Sequence, residues 1–441
     1  MGFFYLMNKE DIYNLYLKCK IICTDTRNIA KDSFFIALKG AHFNGNLFAN
    51  EAINKGSKFA LVDEKQFANN ENIFYVQNAL TALQDLSQYH RNKFDIPVIA
   101  ITGTNGKTTT KELISAVLQK KYNIVHTKGN FNNHIGVPLT LLEINKTTEI
   151  AIIEMGANHQ GEIKTLCNIA LPNYGLITNI GKAHIEGFGS LEGVLNTKTE
   201  MYRFLETKNG KIFINTDNKL LLGKKNNLPY IDYGKNENNF VTGKNPQSNP
   251  FLSLEWKTKE NSNWNLLITN LVGNYNFENV LAAICIGIFF KVNNEDITDA
   301  ISKYIPTNNR SQIIKSANNT LLVDAYNANP TSMNVALDNF FEMKADNKVL
   351  IIGDMLELGK DSDIEHKIIF NKILNSNIKE VYLVGKTFCN ISDNKTFRTF
   401  NNITEILSHF KENPLTNKHI LIKASHGIHL EKLTEVLWNI F

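Results

Sequence analysis

The chain has 441 residues, too long for one ordinary domain and suited to about three. Hydrophobic residues make up 43% and charged residues 20%, and 47 Lys and Arg against 43 Asp and Glu leave a net charge of +4. This near-balance gives no ground for a nucleic-acid partner, while leaving room for a local basic site for an anionic ligand. Five scattered cysteines (Cys19, Cys23, Cys167, Cys285, Cys389) show no C-x-x-C spacing, which argues against a disulfide framework or zinc site and suits a reducing cytoplasm.

The apolar run at 3–7 is too short for a signal-peptide core and soon meets Lys9, Glu10 and Asp11. Short strands are expected at 34–38, 58–62 and 73–76, with a helix at 79–91, so residues 1–93 read as a small α/β unit. From 94 to 305 longer strands (97–102, 149–155, 174–180, 211–215) alternate with helices, the pattern of a parallel sheet covered on both faces. A polar stretch at 236–249 leads to β-segments at 251–256 and 264–270. The longest apolar run, 280–290, falls short of the ~20 residues a membrane span needs and reads as a buried helix. From 306 to 441 the alternation restarts, with strands at 320–326, 348–354, 380–385 and 419–424. Asn329-Pro330 caps and opens a helix there. A last helix puts Leu430, Leu433, Leu437 and Ile440 on one stripe.

Residues 98–111 carry the strongest signal. An apolar strand ends in Gly103-Thr-Asn-Gly-Lys-Thr-Thr109 and enters a helix, the context of a phosphate-binding loop. Gly103 and Gly106 allow the tight turn that aims backbone N–H groups at phosphate oxygens, and the helix N-terminus adds its dipole. Lys107 supplies a charge for the outer phosphates and Thr108 a hydroxyl for magnesium.

Ligands of open parallel sheets sit beyond the carboxyl ends of the strands. The next strands deliver Glu154, then Asn179 and His184. Glu154 stands where a magnesium carboxylate is needed, or else is bonded to backbone; His184 adds a second ligand or a polar contact. In a helix from Leu191, Lys198 shares a stripe with Leu191, Val194, Leu195, Met201, Tyr202 and Leu205. A lysine held there loses basicity and can take up carbon dioxide as a carbamate that ligates metal, unless it reaches solvent from the stripe edge. Arg310 can stabilise a transferring phosphoryl group or make an interdomain ion pair. Asp324 suits ribose hydroxyls or a turn cap, Tyr326 suits a base, and Asn327, Lys423 and Ser425 end strands on the same side.

These segments resemble the Mur ligases of peptidoglycan synthesis over essentially the whole length. The resemblance lies in Thr24-Asp-Thr-Arg-Asn with Ala37-Leu-Lys-Gly, Thr102-Gly-Thr-Asn-Gly-Lys-Thr, Gly129-Asn-Phe-Asn-Asn-His-Ile-Gly-Val-Pro-Leu-Thr, Gly181-Lys-Ala-His-Ile-Glu-Gly-Phe-Gly-Ser, and two stretches similar to the dipeptide-adding member, Glu154-Met-Gly-Ala-Asn-His-Gln-Gly-Glu-Ile and Asp324-Ala-Tyr-Asn-Ala-Asn-Pro. It implies an α/β fold of three domains: a UDP-substrate-binding domain (1–93), a central P-loop ATPase-like domain (94–305) and a Rossmann-like doubly wound domain (306–441). It implies an ATP-dependent amide ligase that adds D-alanyl-D-alanine to UDP-N-acetylmuramoyl-tripeptide through an acyl phosphate, with Mg2+. A monomer without a membrane span, working in the cytoplasm, is expected. By resemblance, Thr26, Arg27 and Lys39 lie near the uridine diphosphate, and Asn130, Asn132 and Asn133 face the muramoyl-peptide. Asn276 and Asn279 approach adenine, Asp324 the ribose, and Lys198 aligns with a carbamylated lysine. The chain departs from the family pattern at His426, where arginine is commoner, and at Tyr275, where histidine is usual. The nearest alternative is another ligase of this fold adding a single amino acid or glutamate; a non-catalytic relative keeping the fold is the other.

Overall fold

The structure is a computed structural model describing residues 7–392 and 396–438. Most of the expected run at 3–7, and Ile440 of the last stripe, lie outside these residues. Three parallel-stranded sheets follow one another along the chain.

The first sheet takes strands Ile21–Cys23, Ser33–Ile36, Phe59–Val62 and Ile73–Tyr75 in chain order, all parallel. Helix Lys9–Tyr16 starts at a capping box in which the Asn8 side chain accepts from Glu10 and Asp11 N–H groups while Asp11 answers the Asn8 N–H. Helix Ala79–Arg91 ties this sheet to the next unit: Gln84 and Gln88 donate to the carbonyls of His134 and Asn168, and buried His90 bonds the Ile144 carbonyl at 2.7 Å.

The second sheet has nine strands. Val98–Thr102 lies between Ile150–Glu154 and Tyr174–Ile177, with Ile124–His126 at one edge and Lys211–Asn215, Tyr230–Gly234 and Val241–Ser248 continuing outward. All of Val98–Thr102 and Ile150–Glu154 is buried, as strands covered on both faces must be. Phe251–Thr258 and Asn265–Val272 then extend the sheet antiparallel. Strand Val241–Ser248 falls where the sequence reads as a polar stretch, because its second half alternates toward solvent and carries no apolar signal. The run at 280–290 is helix Phe277–Phe289, buried against helix Lys107–Leu118.

The third sheet runs Gln312–Lys315, Asn319–Asp324, Lys418–Lys423, Lys348–Gly353, Glu380–Val384, Arg398–Phe400. Its first strand is antiparallel to the second, so Asp324 ends the second strand of this sheet rather than the first, as the sequence suggested. Five parallel strands with helices between them make this the doubly wound unit. The helix expected from Leu191 is two helices, Leu191–Lys198 and Glu200–Thr207, that break at Thr199, and Leu191 is exposed rather than on the buried stripe. Among the described residues no helix is long and apolar enough to cross a membrane.

Candidate active site

A cavity of about 870 Å³ opens where the carboxyl ends of the second and third sheets face each other. Its floor is the phosphate loop. Gly106, at φ 77, stands at the N-cap of helix Lys107–Leu118, and Gly103 adopts φ +141, a backbone that L side chains rarely take. A Cβ at Gly103 would come within 2.0 Å of the Thr178 hydroxyl. That hydroxyl instead donates to the Asn105 carbonyl at 2.6 Å, and Asn179 accepts from the Asn105 N–H at 3.0 Å. The loop is therefore shaped by the neighbouring strand end. Lys107 folds back onto the Gly103 and Thr104 carbonyls at 2.8 and 2.9 Å. Burial pushes its ammonium down to about 8, Glu154 opposing and Arg310 adding to the shift.

Glu154 closes the adjoining strand, 1% exposed. One carboxylate oxygen accepts from the Thr108 hydroxyl at 3.1 Å and from the Asn132 amide at 2.8 Å; the other, buried, has no partner. The backbone N–H of Glu154 donates to the Thr127 hydroxyl, whose residue also gives its carbonyl to the fully buried Lys111 ammonium at 2.6 Å. An unpartnered carboxylate oxygen beside a hydroxyl is an oxygen donor set that suits a hard cation.

Lys198 is 2% exposed, its amine 3.4 Å from the Ala157 carbonyl and 5.3 Å from the Phe188 ring centroid. Burial, with Lys107 nearby, pushes it down to about 7. It does not snorkel. His184 adopts φ 51 and points its Nδ1 to within 2.5 Å of Glu357 in the third unit, a contact that lowers the Glu357 carboxyl against the effect of its burial. Of the two roles expected for His184, metal ligand or polar contact, the structure shows the polar contact, made across the cavity to Glu357. Among the described residues no group of three or more His, Cys, Asp or Glu gathers as a metal cluster.

From the third unit, Arg310 lays its guanidinium 3.7 Å from the Tyr326 ring centroid, a stacking contact that occupies one face of the ring expected to meet a base. Asp324 pairs with the Lys423 ammonium at 2.5 Å. Asn276 and Asn279 sit together on the floor, Asn279 accepting from Thr110 at 3.0 Å and donating to Asn276 at 2.9 Å. Tyr275 bonds the Ser311 hydroxyl, and burial raises its own hydroxyl far above the ordinary range.

The Mur ligase middle-domain model matches residues 101–287, and the Mur ligase glutamate-ligase-domain model matches 309–426. Over 99% of this chain and 95% of its own length, the UDP-N-acetylmuramoyl-tripeptide–D-alanyl-D-alanine ligase of Buchnera aphidicola subsp. Baizongia pistaciae is 38% identical. The chain belongs to the Mur ligase family. The ligase of the same name from Bacillus subtilis is 35% identical over 94% of this chain and 92% of its own. A crystal structure of MurF from Acinetobacter baumannii superposes with a TM-score of 0.86 at 26% identity, covering 98% of each chain. The three-domain α/β architecture expected from the sequence is the architecture of this Mur ligase.

Of the residues singled out in the sequence, Thr104, Asn105, Gly106, Lys107, Thr109, Asn130, Asn132, Asn133, Glu154, His184, Asn276, Asn279, Arg310, Asp324, Tyr326, Asn327 and Lys423 line this one cavity. Thr108 and Lys198 lie buried beside it. Ser425 does not face it: the hydroxyl accepts from the Leu356 N–H at 2.9 Å and donates to the Ala328 carbonyl at 3.2 Å, a backbone brace rather than a free group. Asn133 lines the wall but spends its carbonyl oxygen capping helix Gly136–Leu141. Thr26 and Arg27, in a 3-10 turn, and Lys39, in a short two-stranded hairpin, stand apart in the first unit, Arg27 paired with Asp25 at 2.6 Å and Lys39 with Asp63 and Glu64 at 3.0 Å each. From residues 1–93 only Gln84 reaches the described lining. Glu357, Thr331 and Ser332 are wall residues that sequence reading missed. The strand-end rule, applied to the loop after Lys348–Gly353, was the available signal for Glu357.

Proposed function

We propose that this Mur ligase joins D-alanyl-D-alanine to UDP-N-acetylmuramoyl-tripeptide at the expense of ATP, through an acyl phosphate, in the making of cytoplasmic peptidoglycan precursors. The observation that carries the reading is one cavity between a phosphate loop and a facing arginine, aspartate and lysine, in a chain alike over its length to ligases of that name. Residues 1–93 would hold the UDP end through Thr26, Arg27 and Lys39; 94–305 would hold ATP; 306–441 would help to hold ATP and the dipeptide. The chain would act as a monomer.

A carboxylate is a poor electrophile, so the tripeptide carboxylate must first be phosphorylated. The loop N–H groups cradle the phosphates while Lys107 turns from the loop carbonyls to the transferring group and Arg310 faces it from the other wall. The unpartnered Glu154 oxygen, the Thr108 hydroxyl, His184 and a carbamate on Lys198 fit a magnesium ion, which supplies charge neutralisation at the phosphates. Lys198, its pKa lowered to about 7, is neutral in about half of the molecules near pH 7 and there has the free electron pair that carbamate formation needs. The dipeptide amine then displaces phosphate from the acyl carbon. Walls from two units exclude water that would hydrolyse the acyl phosphate.

Incubation with ATP, Mg2+, UDP-N-acetylmuramoyl-tripeptide and D-alanyl-D-alanine should yield the pentapeptide by mass with one phosphate per product. Phosphate release with a single amino acid or glutamate in place of the dipeptide, and none with the dipeptide, would move the reading to another ligase of the family. No ADP with any acceptor would leave a non-catalytic relative.

A further inference from the structure

We propose that Asn329 is a positioning residue through which the C-terminal unit completes the geometry of the phosphate loop. The inference rests on reading that loop as the ATP site and adds a residue outside the phosphate and metal groups named above.

Asn329 begins helix Pro330–Glu342, and its side chain is used at both ends. Its oxygen accepts from the Ser332 N–H at 2.9 Å as the helix cap, while its Nδ2 donates to the Asn105 side-chain oxygen at 2.8 Å, across 224 residues of sequence. The cap fixes which end of the amide faces inward, so the nitrogen is obliged to face the loop. Among the described residues, Asn105 is the one loop residue that hydrogen-bonds to side chains of two units. Asn179 and Thr178 of the central sheet take its N–H and carbonyl, and Asn329 takes its side chain. A second contact reinforces the docking: the Lys182 N–H donates to the Thr331 hydroxyl at 3.2 Å, and neighbouring Gly181 donates to Thr104 of the loop at 2.9 Å.

Residue choice separates this role from capping. Ser and Asp cap a helix about as well as Asn, but neither offers an N–H to a loop oxygen. Only with the third unit docked does Asn105 receive its last bond. The loop therefore reaches its final shape when the C-terminal wall, with Arg310, is in place, which ties phosphoryl transfer to closure of the cavity.

The test uses Asn329→Ser, which keeps the cap and is too short to reach Asn105. Its melting temperature should match that of the parent. Hydrogen exchange at residues 103–106 should quicken while that of helix Pro330–Glu342 stays unchanged. The kcat for phosphate release should fall about tenfold, the scale of one lost hydrogen bond, with the KM for the tripeptide unmoved. Asn105→Ala should fall by a similar factor, and the double variant no further. Unchanged loop exchange, or additive losses, would overturn the proposal. Asn329→Asp, which caps and offers no N–H, repeats the measurement if the serine variant folds poorly. Quickened loop exchange in a protein that ligates nothing would sink the functional reading and leave the positioning role standing.

Discussion

Asp324 and Lys423 are register partners at the ends of adjacent strands, and their charged groups meet at 2.5 Å with the lysine side chain 1% exposed. The lysine also donates to the Asn327 carbonyl at 3.3 Å, and Asp324 accepts from the Ser311 N–H at 3.2 Å. The pair therefore fixes the wall that carries Arg310 and Tyr326. Removing one partner strands a buried charge. Asp324→Ala should cost about 3 kcal/mol in urea unfolding, and Asp324→Asn less. A loss under about 1 kcal/mol, the scale of a surface pair, would show that the lysine finds water.

Lys198 predicts a pH signature. Burial lowers its pKa from 10.5 to about 7. Between those values the unfolded chain binds a proton that the folded chain does not, so stability rises with pH across that window and levels off below about 7. From pH 7 to 9, without carbon dioxide, the gain from this residue is about 2 kcal/mol. Lys198→Met should lack that slope, be more stable than the parent at pH 7, and lose ligation. Parallel stability curves for the two proteins would contradict the neutral amine.

Gly103→Ala tests the loop backbone. At φ +141, with a Cβ 2.0 Å from the Thr178 hydroxyl, alanine must displace the group that holds the Asn105 carbonyl. Strain of about 1–3 kcal/mol is expected in unfolding experiments, together with a loss of ligation far larger than that strain alone would give. Near-parental turnover would mean that the loop tolerates another shape.

Glu154→Gln keeps the size and the Thr108 contact and removes the charge. Ligation should fall about a thousandfold or more, as should that of Lys107→Ala, while both circular dichroism and melting stay near the parent. A Glu154→Gln enzyme that keeps a tenth of its turnover would remove the carboxylate from ion binding.

Long apolar strands and the glycine loop were readable in the sequence because burial on both faces and positive-φ turns leave residue-type signatures. Val98–Thr102 and Ile150–Glu154 follow from those signatures, whereas for Lys198 the helical stripe left burial and reach to solvent both open, and its 2% exposure decides between them. Strands such as Val241–Ser248 and Arg398–Phe400 were not readable, since half-exposed strand positions accept polar residues. The break at Thr199 was hidden because one apolar stripe runs through both helices. Contacts made between units left no local trace. Nothing near His184 announces Glu357, and nothing near Ser425 announces that its hydroxyl is consumed by Leu356 and Ala328.

Val272 ends the last strand of the central sheet, yet it is fully buried among Leu322, Met333, Leu337 and their neighbours in the C-terminal unit, and Phe251 packs there too. Four residues on lies Asn276 on the cavity floor, whose amide donates to the Val272 carbonyl at 2.9 Å. Pulling the units fully apart would wet that valine at about 1.5–3 kcal/mol. The joint is thus anchored at a strand end, and a displacement of the C-terminal unit that moved Val272 would pass through this hydrogen bond to Asn276 on the cavity floor.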